Sequence, residues 1–223
     1  MLTPSPQAIL FDLDGTLIDT APDLAAATNA LRAHHGLAPL SFQDIRGQVS
    51  NGGSALVTLA LGIQSGSDEH DEARQYLLDA YEQAVAVHSK LFAPLDEWLT
   101  VWQKEARQWG IVTNKPRRYT LPLLDALSLS PGALLCADDL SVKKPAPEPL
   151  WEAAKRLGVS PEKCWYIGDH VRDIQAAKAA GMTAVAVGYG YISEEDDYQS
   201  WPADLWFATC DELVAALHGH RHT

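Results

Sequence analysis

The stretch Ala8-Ile9-Leu10-Phe11-Asp12-Leu13-Asp14-Gly15-Thr16 joins a short apolar run to two acidic residues and a glycine. Four consecutive apolar residues are typical of a strand that is buried on both faces of a parallel sheet. Residues two apart on an extended segment project to the same side, so the carboxylates of Asp12 and Asp14 are expected to face one site. Gly15 permits a tight turn after them. A solvated acidic turn has the same composition, so this stretch alone leaves both interpretations open.

The rest of the chain alternates between apolar runs and helical patterns. The further apolar runs cover residues 110–113, 133–136, 164–167 and 183–187. The helical patterns between them cover residues 96–109, 117–127, 147–157 and 171–180. Pro122 is expected to kink or shorten the second of these helices. Alternating strands and helices predict an α/β fold with a doubly wound parallel sheet.

One region interrupts this alternation, because residues 20–88 show helical patterning and no strand candidate. The segments Thr20-Ala21-Pro22-Asp23 and Ser41-Phe42-Gln43-Asp44 both resemble capping boxes that open helices. A helical insert directly after the first strand would lie over the strand ends, where open α/β sheets bind ligands. We therefore expect a catalytic core formed by residues 1–19 and 89–223, with a helical cap domain formed by residues 20–88.

The composition excludes several classes of protein. Among 223 residues, 47% are hydrophobic and 21% charged, which is ordinary for a folded domain. The 29 acidic residues against 17 basic ones give a formal net charge of -12, which argues against a nucleic-acid partner. No apolar run approaches the roughly 20 residues needed to cross a membrane, and the first seven residues lack the basic character of a secretory signal.

The cysteines Cys136, Cys164 and Cys210 are too far apart for a metal site and are expected to be reduced thiols. We therefore expect a cytoplasmic protein with no nucleic-acid or membrane partner. The sequence leaves open whether the protein is a monomer or a homodimer.

Three further polar motifs are present, two at the ends of predicted strands and one in a loop just before a predicted helix. They are Thr113-Asn114-Lys115, Lys143-Lys144-Pro145 and Gly168-Asp169-His170-Val171-Arg172-Asp173. Because the carboxyl ends of parallel strands meet at one edge of a sheet, these groups are expected to share a site with the two acids of the first motif.

Charge repulsion predicts a cation in that site. Each like-charged pair among Asp12, Asp14, Asp169 and Asp173 at ~4 Å would cost about 4 kcal/mol at an effective dielectric near 20. A set of oxygen ligands with room for water and phosphate favours Mg²⁺. If Mg²⁺ and Lys144 balance three carboxylates, Asp14 is left to be protonated. An acid beside an ionised carboxylate is the arrangement that acid–base catalysis needs.

The order DLDGT, TN, KP and GD-x-x-x-D resembles that of the haloacid dehalogenase superfamily, specifically its capped phosphatases. The resemblance covers essentially the whole chain. It is nearest to phosphoglycolate phosphatases and to relatives that dephosphorylate N-acetylmuramic acid 6-phosphate. It implies a phosphoric monoester hydrolase that acts on a small phosphorylated metabolite, with 2-phosphoglycolate as the first candidate. The muramic acid ester or another sugar phosphate is the alternative.

The resemblance also implies roles for the acidic residues. Asp12 attacks phosphorus and forms an aspartyl-phosphate, while Asp14 is the general acid and base. Mg²⁺ is held by the Asp12 side chain, the Asp14 backbone carbonyl and Asp169. Asp173 either ligates the ion, directly or through water, or orients Lys144.

For substrate binding, the resemblance assigns the transferring oxygens to Thr113, the Asn114 N–H and Lys144. Lys143 is the neighbouring candidate, but the residue directly before Pro145 matches the family better. Arg46 is our candidate for a carboxylate of the substrate, and a solvated surface arginine is an equal alternative.

Several histidines and tryptophans have simpler interpretations. His170 is expected to start a helix and face solvent, and contact with the site or with a metal-bound water is the less favoured alternative. The histidines at 218, 220 and 222 are expected to belong to a loose tail rather than to bind a transition metal. Trp98, Trp102 and Trp109, at helical spacing, are expected to be packing residues rather than a platform for a sugar ring.

Three other functions remain as alternatives. A phosphorylatable receiver module is disfavoured because Asp12 lies in the first strand and a helical insert follows it. A dehalogenase of the same fold would not need Asp14. A sugar-phosphate mutase differs from a hydrolase only in the access of water to the intermediate.

Overall fold

The computed structural model describes residues 5–193 and 196–219. Its strands are β1 (Ala8–Phe11), β2 (Ile18–Asp19), β3 (Lys90–Leu91), β4 (Gln108–Val112), β5 (Ala133–Leu135), β6 (Cys164–Gly168), β7 (Thr183–Val187) and β8 (Leu205–Phe207). Its helices are α1 (Ala21–His34), α2 (Phe42–Arg46), α3 (Gly52–Leu61), α4 (Asp68–Gln83), α5 (Leu95–Lys104), α6 (Arg117–Ala126), α7 (Glu148–Leu157), α8 (Val171–Ala180) and α9 (Cys210–Gly219).

Six of these strands form one sheet in the order β5-β4-β1-β6-β7-β8, and every neighbouring pair is parallel. The order moves outward from β1 in both directions, as expected of a doubly wound sheet. The α/β fold with a doubly wound parallel sheet is therefore confirmed.

The central position of β1 follows from its composition, since all four of its residues are fully buried. Phe11, its last residue, is in register with Ile111 of β4 and with Ile167 of β6. The residues that follow these three strands therefore meet at the middle of one sheet edge.

Each face of the sheet has its own apolar layer. On one face, α5, α6 and α9 pack against residues such as Ile9 and Phe11, and on the other face α7 and α8 pack against residues such as Leu10 and Tyr166. Trp98, Trp102 and Trp109 are buried in the first layer, so their predicted packing role is confirmed.

Some predicted boundaries were wrong. The helix expected over residues 96–109 ends at Lys104, and Trp109 lies in β4, because Ala106 at φ +53° turns the chain. Pro122 lies inside α6 without ending it, although it removes one backbone donor. The strand β8 and helix α9 were not predicted. In β8, three residues of which none is buried give almost no periodic signal.

Residues 21–83 form α1 to α4, which pack on one another around a separate apolar cluster that includes Leu31, Leu56 and Leu77. The chain enters and leaves this segment through an antiparallel ribbon in which Ile18 pairs with Leu91. The ribbon strands have two residues each, which is too short for any sequence pattern to reveal.

The two predicted helix caps have different outcomes. The Ser41 side chain accepts a hydrogen bond from the Asp44 N–H at 3.2 Å, as predicted. Thr20 does not cap α1 with its side chain. The Asp23 carboxylate instead accepts hydrogen bonds from the N–H groups of His88 and Ser89, which tie the two ends of the helical segment together.

Two further sequence predictions concern the cysteines and the tail. Cys136, Cys164 and Cys210 are buried and unpaired, as predicted. His218 lies in the last turn of α9 rather than in a loose tail, whereas the histidines at 220 and 222 fall outside the described residues. In the described part of the chain, no helix combines the length and apolar character that a bilayer crossing requires.

Candidate active site

A cavity of about 620 Å³ lies between the carboxyl ends of the central strands and helices α1, α3 and α4. The sheet side of the cavity is lined by Asp12, Asp14, Thr113, Asn114, Lys115, Lys143, Lys144 and His170. The helical side is lined by Leu24, Ser50, Asn51, Leu56, Arg74, Leu78 and Tyr81. The cavity therefore brings together the four polar motifs, which follow β1, β4, β5 and β6.

Lys144 lies at the centre of the polar groups. Its Nζ is 2.7 Å from Oδ1 of Asp12 and 2.8 Å from Oδ1 of Asp173, and it donates to the Tyr166 hydroxyl at 2.7 Å. Lys143 is exposed, so of the two lysines considered, the structure places Lys144 on the acidic groups. Burial acts to lower the pKa of Lys144, but Asp12 and Asp173 outweigh it and raise the value above its usual range.

Asp12, Asp169 and Asp173 form an acidic cluster whose carboxylate oxygens lie within 4.8 Å of one another. Burial, reinforced by Asp173 and Asp14 and opposed by Lys144, raises the pKa of Asp12 to about 6. Burial, reinforced by the other two carboxylates of the cluster, raises the pKa of Asp169 to about 7. The cluster therefore has more negative charge than Lys144 balances, and its oxygen atoms are suitable ligands for a divalent cation.

Asp169 is held rigidly within the cluster. It accepts hydrogen bonds from the Thr16 hydroxyl at 3.1 Å and from the Tyr191 N–H at 2.8 Å. A Cβ atom on Gly190 would lie only 2.2 Å from Cβ of Asp169. The glycine is needed at this position because the backbone passes so close to the acid.

The Asp14 carboxylate lies outside this cluster. It accepts hydrogen bonds from the Thr20 hydroxyl at 2.6 Å and from Nζ of Lys115 at 2.9 Å. Lys115 also lies 4.6 Å from the centre of the Tyr81 ring on α4. Lys115 is therefore a second buried ammonium group beside the acids, which the charge balance drawn from the sequence did not include.

No role for Lys115 was predicted from the Thr113-Asn114-Lys115 motif. Its position two residues after Thr113, at the end of a strand, is the sequence feature that could have indicated a place in the site. The pKa of Lys115 is raised: burial acts to lower it, but Asp14 outweighs that effect.

Thr113 and Asn114 lie where β4 ends. Thr113 is buried, and its hydroxyl oxygen accepts a hydrogen bond from the Lys115 N–H at 3.1 Å. The side chain of Asn114 forms two hydrogen bonds with the backbone of Lys144, of 3.0 Å to its carbonyl and 3.1 Å from its N–H. The Asn114 side chain therefore holds the loop that positions Lys144.

Arg46 does not line the cavity. Its guanidinium group donates to the Tyr189 carbonyl at 2.9 Å and lies 4.9 Å from the centre of the Tyr191 ring. These contacts join α2 to the loop after β7. A backbone carbonyl and an aromatic ring outside the cavity engage the charge of Arg46, so its contact with a substrate anion stays a prediction that this geometry does not favour.

His170 starts α8, as expected, since its Nδ1 accepts a hydrogen bond from the Arg172 N–H. It lines the cavity, however, and does not simply face solvent. Burial, reinforced by the nearby Arg172, lowers the pKa of His170 to about 4. The less favoured of the two sequence-based interpretations, that the His170 imidazole lies at the site, therefore matches its position in the cavity wall.

The comparisons with known proteins agree with this geometry. A family model described as haloacid dehalogenase-like hydrolase matches residues 9–187. The chain belongs to the haloacid dehalogenase-like hydrolase family. The resemblance inferred from the DLDGT, TN, KP and GD-x-x-x-D motifs is thereby confirmed.

Two curated members of the family illustrate its relation to this chain. The N-acetylmuramic acid 6-phosphate phosphatase of Pseudomonas aeruginosa is 42% identical over 213 residues, which cover 95% of this chain and 94% of that protein. A phosphoglycolate phosphatase of Xylella fastidiosa is 41% identical over 202 residues, which cover 89% of this chain and 87% of that protein. Both predicted substrate types therefore occur among relatives of similar identity.

A solved structure shows the same fold. A predicted phosphoglycolate phosphatase from Haemophilus somnus superimposes with a TM-score of 0.82 at 25% identity, covering 96% of this chain and 99% of that one. The haloacid dehalogenase-like fold therefore extends over the helical segment as well as the sheet.

Proposed function

We propose that the protein is a Mg²⁺-dependent phosphomonoester hydrolase in which Asp12 is the nucleophile. The observation that carries this proposal is the position of Asp12 at the end of the central strand, paired with the buried Lys144 in a cavity that also holds two other carboxylates. The phosphatases among its relatives support the same conclusion.

In the proposed reaction, Oδ of Asp12 attacks phosphorus and the bond to the leaving alcohol oxygen breaks, which gives an aspartyl-phosphate. Water then attacks this intermediate and releases inorganic phosphate. Lys144 neutralises charge that develops on the transferring oxygens, because its ammonium group already contacts the nucleophile. Thr113 and the backbone N–H of Asn114 bind those oxygens from the β4 side.

Asp14 moves the proton in both half-reactions. It donates a proton to the leaving alcohol in the first and takes one from the attacking water in the second. Two contacts, from Thr20 and Lys115, fix the direction of this carboxylate.

The acidic cluster would hold Mg²⁺ through the carboxylates of Asp12 and Asp169, together with the backbone carbonyl of Asp14. Asp173 contacts Lys144 through Oδ1 and accepts the His170 N–H through Oδ2, which supports a role in orienting Lys144. When bound, the ion supplies positive charge beside the phosphoryl oxygens.

We further propose that residues 20–88 form a cap domain over a core of residues 1–19 and 89–223. The separate apolar cluster of helices α1 to α4 and the two-stranded ribbon at its base support this division. In such a cap, α3 and α4 provide the part of the cavity that contacts the alcohol portion of the substrate, while the sheet provides the phosphate chemistry.

The volume of the cavity bears on the substrate. About 620 Å³ lies within the range of pockets that enclose drug-sized ligands, and far exceeds what two carbon atoms and a phosphate occupy. We therefore place N-acetylmuramic acid 6-phosphate ahead of 2-phosphoglycolate. This reverses the order of substrates that the resemblance in sequence implied. The relative that is 42% identical over 95% of the chain supports this choice.

A phosphate-release assay tests the proposal. We expect wild-type protein to release phosphate from an aryl phosphate only with Mg²⁺, and Asp12→Asn to lose this activity while its circular dichroism and melting temperature stay close to wild type. Asp125→Asn, which removes an acid on the outer face of α6, is the matched control and should remain active. Full activity of Asp12→Asn would exclude the mechanism.

Product analysis beside the phosphate-release assay separates the alternatives. Conversion of one sugar phosphate into its isomer without net phosphate release would indicate a mutase, and halide release from a haloacid would indicate a dehalogenase. Comparison of kcat/KM for N-acetylmuramic acid 6-phosphate and 2-phosphoglycolate then decides between the two proposed substrates.

A further inference from the structure

Five lysine and arginine side chains line the cavity within residues 5–193 and 196–219, and three of them are already engaged. Lys144 contacts Asp12 and Asp173, and Lys115 contacts Asp14. Arg172 donates to the Ser50 carbonyl at 2.6 Å. The remaining two, Arg74 and Lys143, have no hydrogen-bond or ion-pair partner in the described part of the chain.

Arg74 belongs to a row of α4 side chains that face the cavity. Leu78 and Tyr81 follow it at intervals of four and three residues, and all three line the cavity. A Cβ atom on Gly53 would lie 3.8 Å from Nε of Arg74 and 3.4 Å from Cδ2 of Leu78. The guanidinium group of Arg74 is therefore located near the start of α3, at the opening between the two helices.

The spacing along α4 provides a distance scale. Tyr81 marks the end where the reaction occurs, because its ring lies 4.6 Å from Nζ of Lys115, which contacts Asp14. Arg74 precedes Tyr81 by seven residues, which is two helical turns or about 10 Å along the axis. Helical side chains lean toward the N-terminus, so Arg74 leans further away from the reacting groups.

We infer that Arg74 is the specificity-determining residue that binds a carboxylate of the substrate on the side of the molecule opposite to the reacting phosphate. This inference rests on the proposed phosphatase function and deepens it. Arginine is the suitable group here because its planar guanidinium binds a carboxylate with two parallel hydrogen bonds.

The separation between Arg74 and the acidic residues selects between the two candidate substrates. In 2-phosphoglycolate a single carbon separates the carboxylate from the phosphate oxygen, a shorter span than the two helical turns between Arg74 and Tyr81. In N-acetylmuramic acid 6-phosphate, the phosphate is on C6 and the lactyl carboxylate is on the ether at C3, across the sugar ring. Leu24, Leu56 and Leu78 would then contact the intervening part of the sugar.

Lys143 does not fit this role as well. Its Cα lies about 3.8 Å from that of Lys144, so it belongs to the loop at the phosphate end of the cavity. A carboxylate bound there would lie close to the reacting phosphate. Mutation of Arg74 and of Lys143 in turn can therefore show which of them binds the carboxylate.

The experiment compares kcat/KM for N-acetylmuramic acid 6-phosphate with that for N-acetylglucosamine 6-phosphate, which lacks only the lactyl group. We expect wild-type enzyme to prefer the former. In Arg74→Gln this preference should fall about 10- to 100-fold, the loss expected for a charged hydrogen bond, through a higher KM for the lactyl substrate. Arg74→Lys should keep part of the preference, because it retains the charge without the paired geometry.

Two control variants make the outcome decisive. Lys155→Gln removes the same charge from an 82% exposed side chain outside the cavity and should keep the wild-type preference. Lys143→Gln tests the competing cation. An unchanged preference in Arg74→Gln, or its loss in Lys143→Gln instead, would overturn the assignment. If wild-type enzyme hydrolyses neither sugar phosphate, the proposed function itself fails, a result distinct from failure of the Arg74 assignment.

Discussion

Nζ of Lys115 lies 2.9 Å from Oδ1 of Asp14, so the acid closest to the nucleophile in sequence is paired with a lysine 101 residues further along the chain. Lys115 is almost fully buried, with 8% of its side chain exposed, and its second neighbour is the Tyr81 ring on α4. The ion pair therefore connects the proposed acid–base residue to the helical segment that covers it.

Removal of the Lys115 charge tests the importance of this contact. We expect Lys115→Gln to lower kcat by about 10- to 100-fold, part of the 10²–10⁴-fold that positioned acid–base catalysis contributes. The measurement is phosphate release under saturating substrate. Lys104→Gln, on the exposed surface of α5, is the charge-matched control.

A double mutant shows whether Lys115 acts through Asp14. Adding Lys115→Gln to Asp14→Asn should cause little further loss, because residues in direct contact are not additive. If the fold-losses in kcat of the two single mutants multiply in the double mutant, Lys115 contributes to catalysis in a way that does not depend on Asp14.

The Asn114 side chain offers a second test, because it holds Lys144 through the backbone and has an equivalent elsewhere in the chain. Asn114→Ala removes two hydrogen bonds, which should cost about 2 kcal/mol of stability and also lower kcat by at least about 10-fold as Lys144 loses its position. Urea unfolding and steady-state kinetics measure the two effects.

Asn29 makes the same pair of hydrogen bonds to the backbone of Leu40, away from the cavity. Asn29→Ala should therefore lose similar stability with kcat unchanged. If both variants lose stability but neither loses activity, the Asn114 side chain has a purely structural role.

The acidic cluster predicts an unusual dependence of stability on pH. The pKa of Asp169 is raised from 3.8 to about 7 in the folded protein, so the fold binds this proton more tightly than the unfolded chain does. Metal-free protein should therefore lose stability as the pH rises from about 4 to about 7. Added Mg²⁺ should restore stability above pH 7 and have little effect at pH 5, where protons compete for the same oxygens.

Asp169→Asn should abolish the Mg²⁺ response and reduce the pH-dependent loss, part of which Asp12 also causes. It should raise the metal-free melting temperature at pH 8, by about 2–4 °C for each kcal/mol of repulsion relieved. Asp139→Asn is the contrasting control, because Arg117 lowers the pKa of Asp139. That carboxylate stabilises the fold at neutral pH and loses its contribution as the pH falls, so its removal should lower the melting temperature at pH 8. Equal responses of the two variants would contradict this account.

The close approach of Gly190 to Asp169 gives a fourth prediction. Gly190→Ala would place Cβ 2.5 Å from Oδ2 of Asp169, so the acid has to move. We expect a loss of about 1–3 kcal/mol from overpacking, together with loss of the Mg²⁺-dependent rise in melting temperature. Thermal unfolding with and without Mg²⁺ measures both.

Gly47→Ala is the matched control, since Gly47 has φ -65° and its nearest neighbour would lie 3.9 Å from the added atom. This variant should be neutral or slightly more stable. A Mg²⁺ response in Gly190→Ala equal to that of wild type would show that Asp169 tolerates the displacement.

Local pattern determined much of this protein from the sequence alone. The apolar runs around 8–11, 164–167 and 183–187 identified three central strands, because a strand buried on both faces needs continuous apolar residues. The parallel arrangement then required the residues after those strands to meet at one edge. The convergence of Asp12 and Asp169 could thus be predicted without coordinates.

Tertiary structure alone decided which groups pair within that edge. The Lys115–Asp14 ion pair, the Asn114 side chain on the Lys144 backbone and the engagement of Arg46 by Tyr189 depend on side-chain directions that no local pattern encodes. Arg74 has an ordinary place in a polar helix, and only the packing of α4 over the sheet turns it toward the cavity. The physical reason is that strand and helix formation depend on neighbouring residues, whereas charge pairing depends on contacts between segments tens of residues apart.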